Sequence, residues 1–160
     1  MRLALITAVL ILPLVALPAV IASTTAALAV APRAAPAAPL FAWVPPDGFR
    51  DQFPFGQCTW WAAYNRRVTW NGNAADWLAN AAALGLPTSA EPSLAAIVVY
   101  RPGGHYSPFG HVAIVIATDA DAYTVSEMNA PGWGRVSTRD LPWPDPDVLG
   151  FIPLTAAETP

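Results

Sequence analysis

The stretch 111-HVAIVIATDADAYTVSEMN-129 holds two apolar runs separated by a short polar turn, and it decides the fold. Both runs are rich in Val, Ile, Thr and Tyr, residue types that favour β-strands. The intervening Asp119-Ala120-Asp121 predicts a tight hairpin between strands 111–118 and 122–129. We therefore expect an antiparallel pair within a β-meander.

Three polar side chains in this hairpin are expected to lie close together. Strand alternation puts His111 on one face together with Ala117, and Glu127 and Asn129 share a face of the next strand. Counting outward from the turn makes His111 and Asn129 near neighbours across the pair. His111 is thus expected to meet Glu127 or Asn129, and a helix packed on that face would bring Cys58 to the same place.

Elements on both sides of the hairpin complete an α+β domain. Apolar spacing and turn residues predict helices upstream and short strands on either side. Two helices followed by an antiparallel meander predict that the helices cover one face of the sheet. The predicted helices span 58–67 and 73–85, and the further strands span 95–101, 135–140 and 149–153.

The N-terminus reads as an export sequence. Arg2 precedes residues 3–22, which carry no charge, and Ala27-Leu28-Ala29 is a candidate cleavage site. The run is also long enough to span a bilayer, so residues 1–29 are either a cleaved signal peptide or a membrane anchor. The chain is therefore expected to be exported and to work in the cell envelope, secreted or tethered to the membrane.

The remainder divides by composition. An Ala/Pro-rich stretch predicts an extended linker, and the following residues suffice for one small domain with a single core. The chain has no lysine and a formal net charge of −3, which excludes a basic nucleic-acid-binding surface. The predicted segments are the linker 30–46, the domain 47–153 and a C-terminal tail 154–160.

Cys58 is the only cysteine in the chain. In an exported protein it indicates an intermolecular disulfide, a buried structural thiol or a reactive thiol. Its predicted place at a helix N-terminus, near an imidazole, favours the thiolate. Thiolate metal clusters are excluded because His105 and His111 are the only other soft ligands, and no cofactor is expected.

The chain resembles the CHAP family, the cysteine- and histidine-dependent amidohydrolases/peptidases of bacterial cell-wall turnover and phage lysis. The resemblance covers about residues 47–153 and includes a closing strand. It is specific because the matching segments occur together and in order: 56-GQCTWW-61, 72-GNAADW-77, 110-GHVAIV-115 and 125-VSEMN-129, followed by 149-LGFIP-153.

The resemblance implies a papain-like fold and a set of site residues. Cys58 becomes the nucleophile, His111 the base and Glu127 the residue that orients the histidine. Asn129 becomes an accessory polar residue, and Gln57 a candidate for binding the oxyanion together with the Cys58 backbone N–H. The implied activity is that of a peptidoglycan hydrolase, an amidase or endopeptidase that forms an acyl-enzyme. The alternative is a non-catalytic wall-binding or assembly module that keeps the fold.

The sequence departs from the family pattern at several positions, and each departure predicts a local difference in structure or ligand binding. Ala95-Ala96 stands where the family usually has a glycine before an apolar residue, so the local turn is expected to differ. The Pro-rich loop 101–110 is expected to reshape the cleft near His111. Asp47 and Asp51 are too few to complete the calcium site of some phage relatives. Trp133, in a Gly-rich loop after Asn129, is the candidate for lining the substrate groove.

Overall fold

A five-stranded antiparallel sheet is the framework of residues 52–158, the part of the chain that the computed structural model describes. Its strand order is β4-β3-β2-β1-β5, and two short helices precede it. The elements are α1 (Cys58–Asn65), a 3-10 turn (Ala74–Asp76), α2 (Trp77–Ala83), β1 (Ile97–Tyr100), β2 (His111–Thr118), β3 (Ala122–Met128), β4 (Val136–Pro142), β5 (Val148–Ile152) and a second 3-10 turn (Ala156–Glu158). The predicted papain-like α+β fold is confirmed.

The predicted export sequence, the linker, Asp47 and Asp51 lie outside the described residues. Within 52–158, neither helix has the length and apolar character needed to cross a bilayer. The domain boundaries stay predictions.

The central hairpin has the predicted register, with one irregularity, and β3 ends at Met128, one residue before the predicted end. Ile114 pairs with Ser126 and Val115 with Val125, as counting from the turn predicts. Beyond Val115 a bulge shifts the pairing by one residue, so Ala117 lies opposite Thr124. The expectation that Ala117 shares a face with His111 is therefore wrong, because a bulge interrupts strict alternation.

The helices cover one face of the sheet, and it is the face opposite to His111. Aliphatic side chains of the strands, Val112 and Ile114 among them, form a core with Ala62 and Ala63 of α1. The other face carries a second core and the polar pair His111 and Glu127. The sequence-based condition that α1 packs on the face of His111 is thus not met, because the helix needs the continuous aliphatic surface.

Aromatic side chains hold α1 in place. Trp60 stacks on Tyr64 one helical turn later, with ring centroids 5.0 Å apart, as their spacing predicts. Trp61 donates from Nε1 to the Ser126 hydroxyl on β3, at 3.1 Å. These contacts fix the helix whose first residue is Cys58.

The second helical segment starts with a capping box. Asn73 and Asp76 exchange side-chain to backbone hydrogen bonds across the 3-10 turn, which satisfies N–H groups at the start of the segment. Gly85 follows α2 with a φ of 75°, the left-handed conformation that ends many helices. Both features agree with the predicted start and stop.

Arg66 joins α1 to distant parts of the chain. Its guanidinium is buried and forms two hydrogen bonds of 2.9 Å with Glu158, 92 residues away. It also donates to the carbonyl oxygens of Ala95, Ile152 and Pro153. The C-terminal 3-10 turn is therefore packed against the domain.

Ala95 adopts a conformation that L-residues rarely take. Its φ is 65°, and it lies just before β1 in a fully buried position. The resemblance to the CHAP family leads us to expect a glycine in this region, and glycine enters the left-handed region without steric penalty. The departure noted in the sequence therefore coincides with a locally strained backbone.

Candidate active site

The Cys58 thiol is buried at the start of α1 and is a free cysteine. The thiol interacts electrostatically with the His111 side chain and with the backbone of Val112 and Thr59. Burial alone would raise its pKa, but the hydrogen bond to His111, the imidazolium charge and the two backbone contacts outweigh burial and lower it. The surroundings therefore favour a thiolate.

Cys58 and His111 meet although α1 and the imidazole belong to opposite faces of the sheet. Cys58 is the first residue of α1, and His111 is the first residue of β2. The backbone of Val112, whose side chain points into the α1 core, also contacts the thiol. The contact is thus made at the first residue of β2. At this end of the strand, side chains from both faces of the sheet can approach each other.

His111 is held between the thiol and a carboxylate. Its Nε2 lies 2.8 Å from Oε2 of Glu127, so Nδ1 is the ring nitrogen left for Cys58. Burial would lower the pKa of His111, but hydrogen bonds with Cys58 and Glu127 and their charges raise it to about 9. The surroundings therefore favour the protonated imidazole beside the thiol.

Glu127 is completely buried and doubly bound. One carboxylate oxygen accepts from His111, and Arg139 of β4 donates to both oxygens through Nε and Nη2. Burial would raise the pKa of Glu127, but the hydrogen bonds from His111 and Arg139 outweigh it and hold the pKa below its usual range. Of the two predicted partners of His111, Glu127 is the one that holds the imidazole.

Asn129 and Gln57 bind each other beside the thiol. Asn129 donates from Nδ2 to Oε1 of Gln57 at 3.0 Å, and its left-handed backbone, with a φ of 68°, is one that asparagine tolerates. With Oε1 engaged, the amide N–H₂ of Gln57 is the end free to donate. Gln57 also directly precedes Cys58, the first residue of α1.

A cleft of about 590 Å³ opens above the thiol. The predicted residues Gln57, Cys58, His111 and Asn129 line it, and one wall comes from the 101–110 loop. A second groove of about 470 Å³ shares Cys58 and Phe109 with it and runs toward Asn71 and Asn73. Cys58 and Phe109 therefore border both grooves.

Trp133 lies outside the linings of both grooves. It is 61% exposed and packs over Gly56, where an added Cβ would approach the indole to 2.4 Å. The ring therefore lies against a glycine that precedes Cys58 by two residues in the sequence. A substrate-binding role for Trp133 stays a prediction.

Sequence reasoning missed two residues of the site, Tyr106 and Arg139. Tyr106, in the 101–110 loop, lies parallel to the His111 ring with centroids 5.1 Å apart and accepts a 3.0 Å hydrogen bond from Arg139. Arg139 pairs with Val125 across β3 and β4, so strand alternation would have placed it on the face of Glu127. The loop position of Tyr106 carries no comparable signal.

His105 belongs to the same loop and takes no part in the thiol contacts described above. Its Nδ1 lies 3.0 Å from Oδ2 of Asp147, and Arg101 donates to the other oxygen at 2.7 Å. Asp147 thereby anchors the 101–110 loop. The loop forms one wall of the cleft near His111, and the expectation that it reshapes the cleft relative to the family stays a prediction.

Comparison with known proteins identifies relatives of this arrangement. The model of the CHAP domain family matches residues 48–129, which include Cys58, His111 and Glu127. A crystal structure of N-acetylmuramoyl-L-alanine amidase from Staphylococcus aureus is 29% identical, with a TM-score of 0.52. The match covers 56% of this chain and 28% of the amidase, so the chain spans less than a third of that protein.

The structure of Ly7917 is also similar, at 24% identity and a TM-score of 0.49, over 61% of this chain and 52% of that one. A second structure of Ly7917, with the hydrolyzing product of MDP, is 23% identical, with a TM-score of 0.48 over 61% of this chain and 53% of that one.

Proposed function

The chain belongs to the CHAP domain family, and from that premise we propose that it is a peptidoglycan hydrolase that cleaves an amide bond with Cys58 as nucleophile. The observation that carries the proposal is that His111, which is hydrogen-bonded to the buried Glu127, interacts with Cys58 in the lining of an open cleft. A thiol, a base that contacts it and a buried group that orients the base are the parts that nucleophilic catalysis requires. Because all three parts are present, an enzyme is favoured over a non-catalytic wall-binding module.

The reaction follows from the protonation states of the resting site. The Cys58 thiolate attacks the amide carbonyl carbon, and the electron pair of the carbonyl moves to oxygen. When the tetrahedral intermediate collapses, the C–N bond breaks and the His111 imidazolium gives its proton to the leaving amine. The neutral imidazole then takes a proton from water, whose oxygen attacks the thioester and releases the acid and Cys58.

Two donors are candidates for binding the oxyanion. They are the backbone N–H of Cys58 and the side-chain amide of the preceding residue Gln57, whose Oε1 accepts a hydrogen bond from Asn129. Donors fixed before the reaction stabilise the developing charge without reorganisation. Glu127 keeps the imidazole oriented and balances its charge during the transfer.

Peptidoglycan as substrate is supported by the family and by the similar amidase from Staphylococcus aureus. An amidase would cut the muramoyl–L-alanine bond, and an endopeptidase would cut within the peptide. Mass spectrometry of fragments released from a defined peptidoglycan distinguishes the two. We further propose that the chain acts in the cell envelope, exported by residues 1–29 as a secreted or membrane-tethered protein.

The proposal is tested with the full-length chain, purified in detergent where the N-terminus demands it. We expect soluble fragments from isolated peptidoglycan, and none from Cys58→Ala or His111→Ala variants that keep the wild-type melting temperature. A wild-type protein that is folded and sediments with the wall, yet releases nothing from walls of several species, would instead be the binding module.

A further inference from the structure

The site contains a fourth ionised group beyond the three expected of it. The chain of contacts runs from Cys58 to His111, from His111 to Glu127 and from Glu127 to Arg139. Arg139 lies beyond residues 48–129, the part that the family model matches. Its contacts with both Glu127 oxygens are those of a two-pronged guanidinium–carboxylate pair, the geometry that makes such pairs specific.

Arg139 also holds an aromatic ring against the imidazole. The Nη2 that contacts Glu127 donates to the Tyr106 hydroxyl at 3.0 Å, and the guanidinium carbon lies 5.6 Å from the Tyr106 ring centroid. The Tyr106 ring is tilted only 11° from the plane of His111, and it stacks on Tyr100 at 4.4 Å. One face of the imidazole is therefore covered by a ring that Arg139 keeps in place.

We propose that Arg139 and Tyr106 are positioning residues for the thiol: Arg139 balances the charge of the Cys58–His111–Glu127 series, and Tyr106 fixes the plane of the imidazole. The groups facing the His111–Glu127 pair are Cys58 from α1, Tyr100 from β1, Tyr106 from the 101–110 loop and Arg139 from β4.

The direction of the Arg139 effect follows from counting charges. With the thiolate, imidazolium, carboxylate and guanidinium all ionised, the four charges sum to zero. Without Arg139 the same ionised site would carry one uncompensated negative charge next to buried groups, which is costly. The site would then take up a proton, and the thiolate is the most basic of its anions. Loss of Arg139 is thus expected to raise the pKa of Cys58. The effect is moderated because the Arg139 side chain is 35% exposed.

The inference rests on the proposed role of Cys58 as nucleophile, and its test does not require hydrolysis. Because Cys58 is the only cysteine, alkylation by iodoacetamide reports on this thiol alone. We would measure the alkylation rate of the full-length chain from pH 4 to 10. Arg139→Gln is expected to slow alkylation at pH 6 by about threefold to tenfold and to shift the profile to higher pH. Arg135→Gln is the matched control, since it removes the same charge from an exposed position just before β4.

Conservative variants separate positioning from a general loss of structure. Arg139→Lys keeps the charge and should recover part of the loss. Tyr106→Phe keeps the ring and should stay within about twofold of the wild type, whereas Tyr106→Ala should fall further because the imidazole can rotate. These variants carry the test if Arg139→Gln does not fold. Equal profiles for folded Arg139 and Arg135 variants overturn the role of Arg139, and equal rates for Tyr106→Ala and the wild type overturn that of Tyr106.

Hydrolysis of peptidoglycan is scored separately on the same proteins. Altered alkylation profiles without fragment release from the wild type would support the positioning role and reject the hydrolase. Fragment release with unaltered alkylation profiles would support the hydrolase and reject the positioning role.

Discussion

At the scale of single residues, the surroundings of Cys58 and His111 favour a proton on the imidazole rather than on the thiol. Burial works against both charges, yet their mutual contact and the Glu127 carboxylate outweigh it. A thiolate that is formed before the substrate arrives needs no separate activation step. The pair titrates as a unit, so its pH dependence is a direct test of the arrangement.

We expect hydrolysis to be confined to a pH window set by this pair. As pH rises through about 9, His111 loses the proton that the leaving amine needs, and the rate falls. As pH falls through the lowered pKa of Cys58, the thiolate is protonated and the rate falls again. The initial rate of fragment release from pH 4 to 11 measures both limits. Alkylation of Cys58 that follows the pKa of an ordinary thiol, about 8.5, would contradict the ion pair.

Glu127→Gln should lower the activity by about a hundredfold or more. The amide keeps the size of the carboxylate, but the imidazolium loses its counterion and Arg139 faces an uncharged group. The pKa of His111 should fall from about 9, which an NMR titration of its ring protons measures. Exposed Glu91→Gln is the control, and equal activities of the two variants would rule out the orienting role.

At the scale of elements, Ala95 and Ala96 differ in what a glycine would do. Both are buried neighbours before β1, but only Ala95 has a left-handed φ, a conformation that destabilises an L-residue by roughly 1–2 kcal/mol. Ala95→Gly relieves that strain, but it loses a buried methyl group worth about 0.8 kcal/mol and gives the unfolded chain roughly 0.5–1 kcal/mol of extra freedom, so we expect a net change of less than about 1 kcal/mol in either direction.

Ala96→Gly has no such strain to relieve. It should lower the free energy of unfolding by about 1–2 kcal/mol, through the lost methyl group and the greater freedom of the unfolded chain. Urea denaturation of both variants gives the difference. If Ala95→Gly is destabilised as much as Ala96→Gly, the left-handed strain is not there.

The elements also show what a sequence can and cannot predict. Apolar periodicity and turn residues gave the bounds of β2 and the register of Ile114 with Ser126, since one-face burial and a short turn leave few choices. The face on which α1 packs was not predictable from the hairpin, because it depends on which side offers the larger aliphatic surface. The Tyr106 contact depends on the path of the 101–110 loop, and loop geometry has no periodic signal.

At the scale of the whole molecule, the buried Arg66 ties together segments that are far apart in sequence. It ends α1 and contacts the carbonyl groups beside β1 and β5 as well as Glu158 in the last 3-10 turn. Glu158 in turn accepts from the backbone N–H groups of Arg67 and Thr155. The 3-10 turn that contains Glu158 is therefore expected to contribute to the free energy of unfolding.

Removing one partner of this pair should destabilise the protein as a whole. Glu158→Gln leaves a buried guanidinium without its counterion, and we expect a loss of about 3 kcal/mol, since three carbonyl groups still accept from Arg66. Thermal and urea denaturation measure it, and Glu91→Gln should change the stability by less than about 0.5 kcal/mol. A loss no larger than that of the control would show that the ion pair contributes nothing.

The solitary thiol of Cys58 has a consequence for how the protein tolerates oxidants. An electron-rich thiolate is readily oxidised to a sulfenic acid, and many proteins rescue this species by forming a disulfide with a second cysteine. This chain has no second cysteine to do so. After brief peroxide treatment, we therefore expect the reactivity of Cys58 to recover only when an external thiol is supplied. Prolonged exposure should oxidise the sulfur irreversibly.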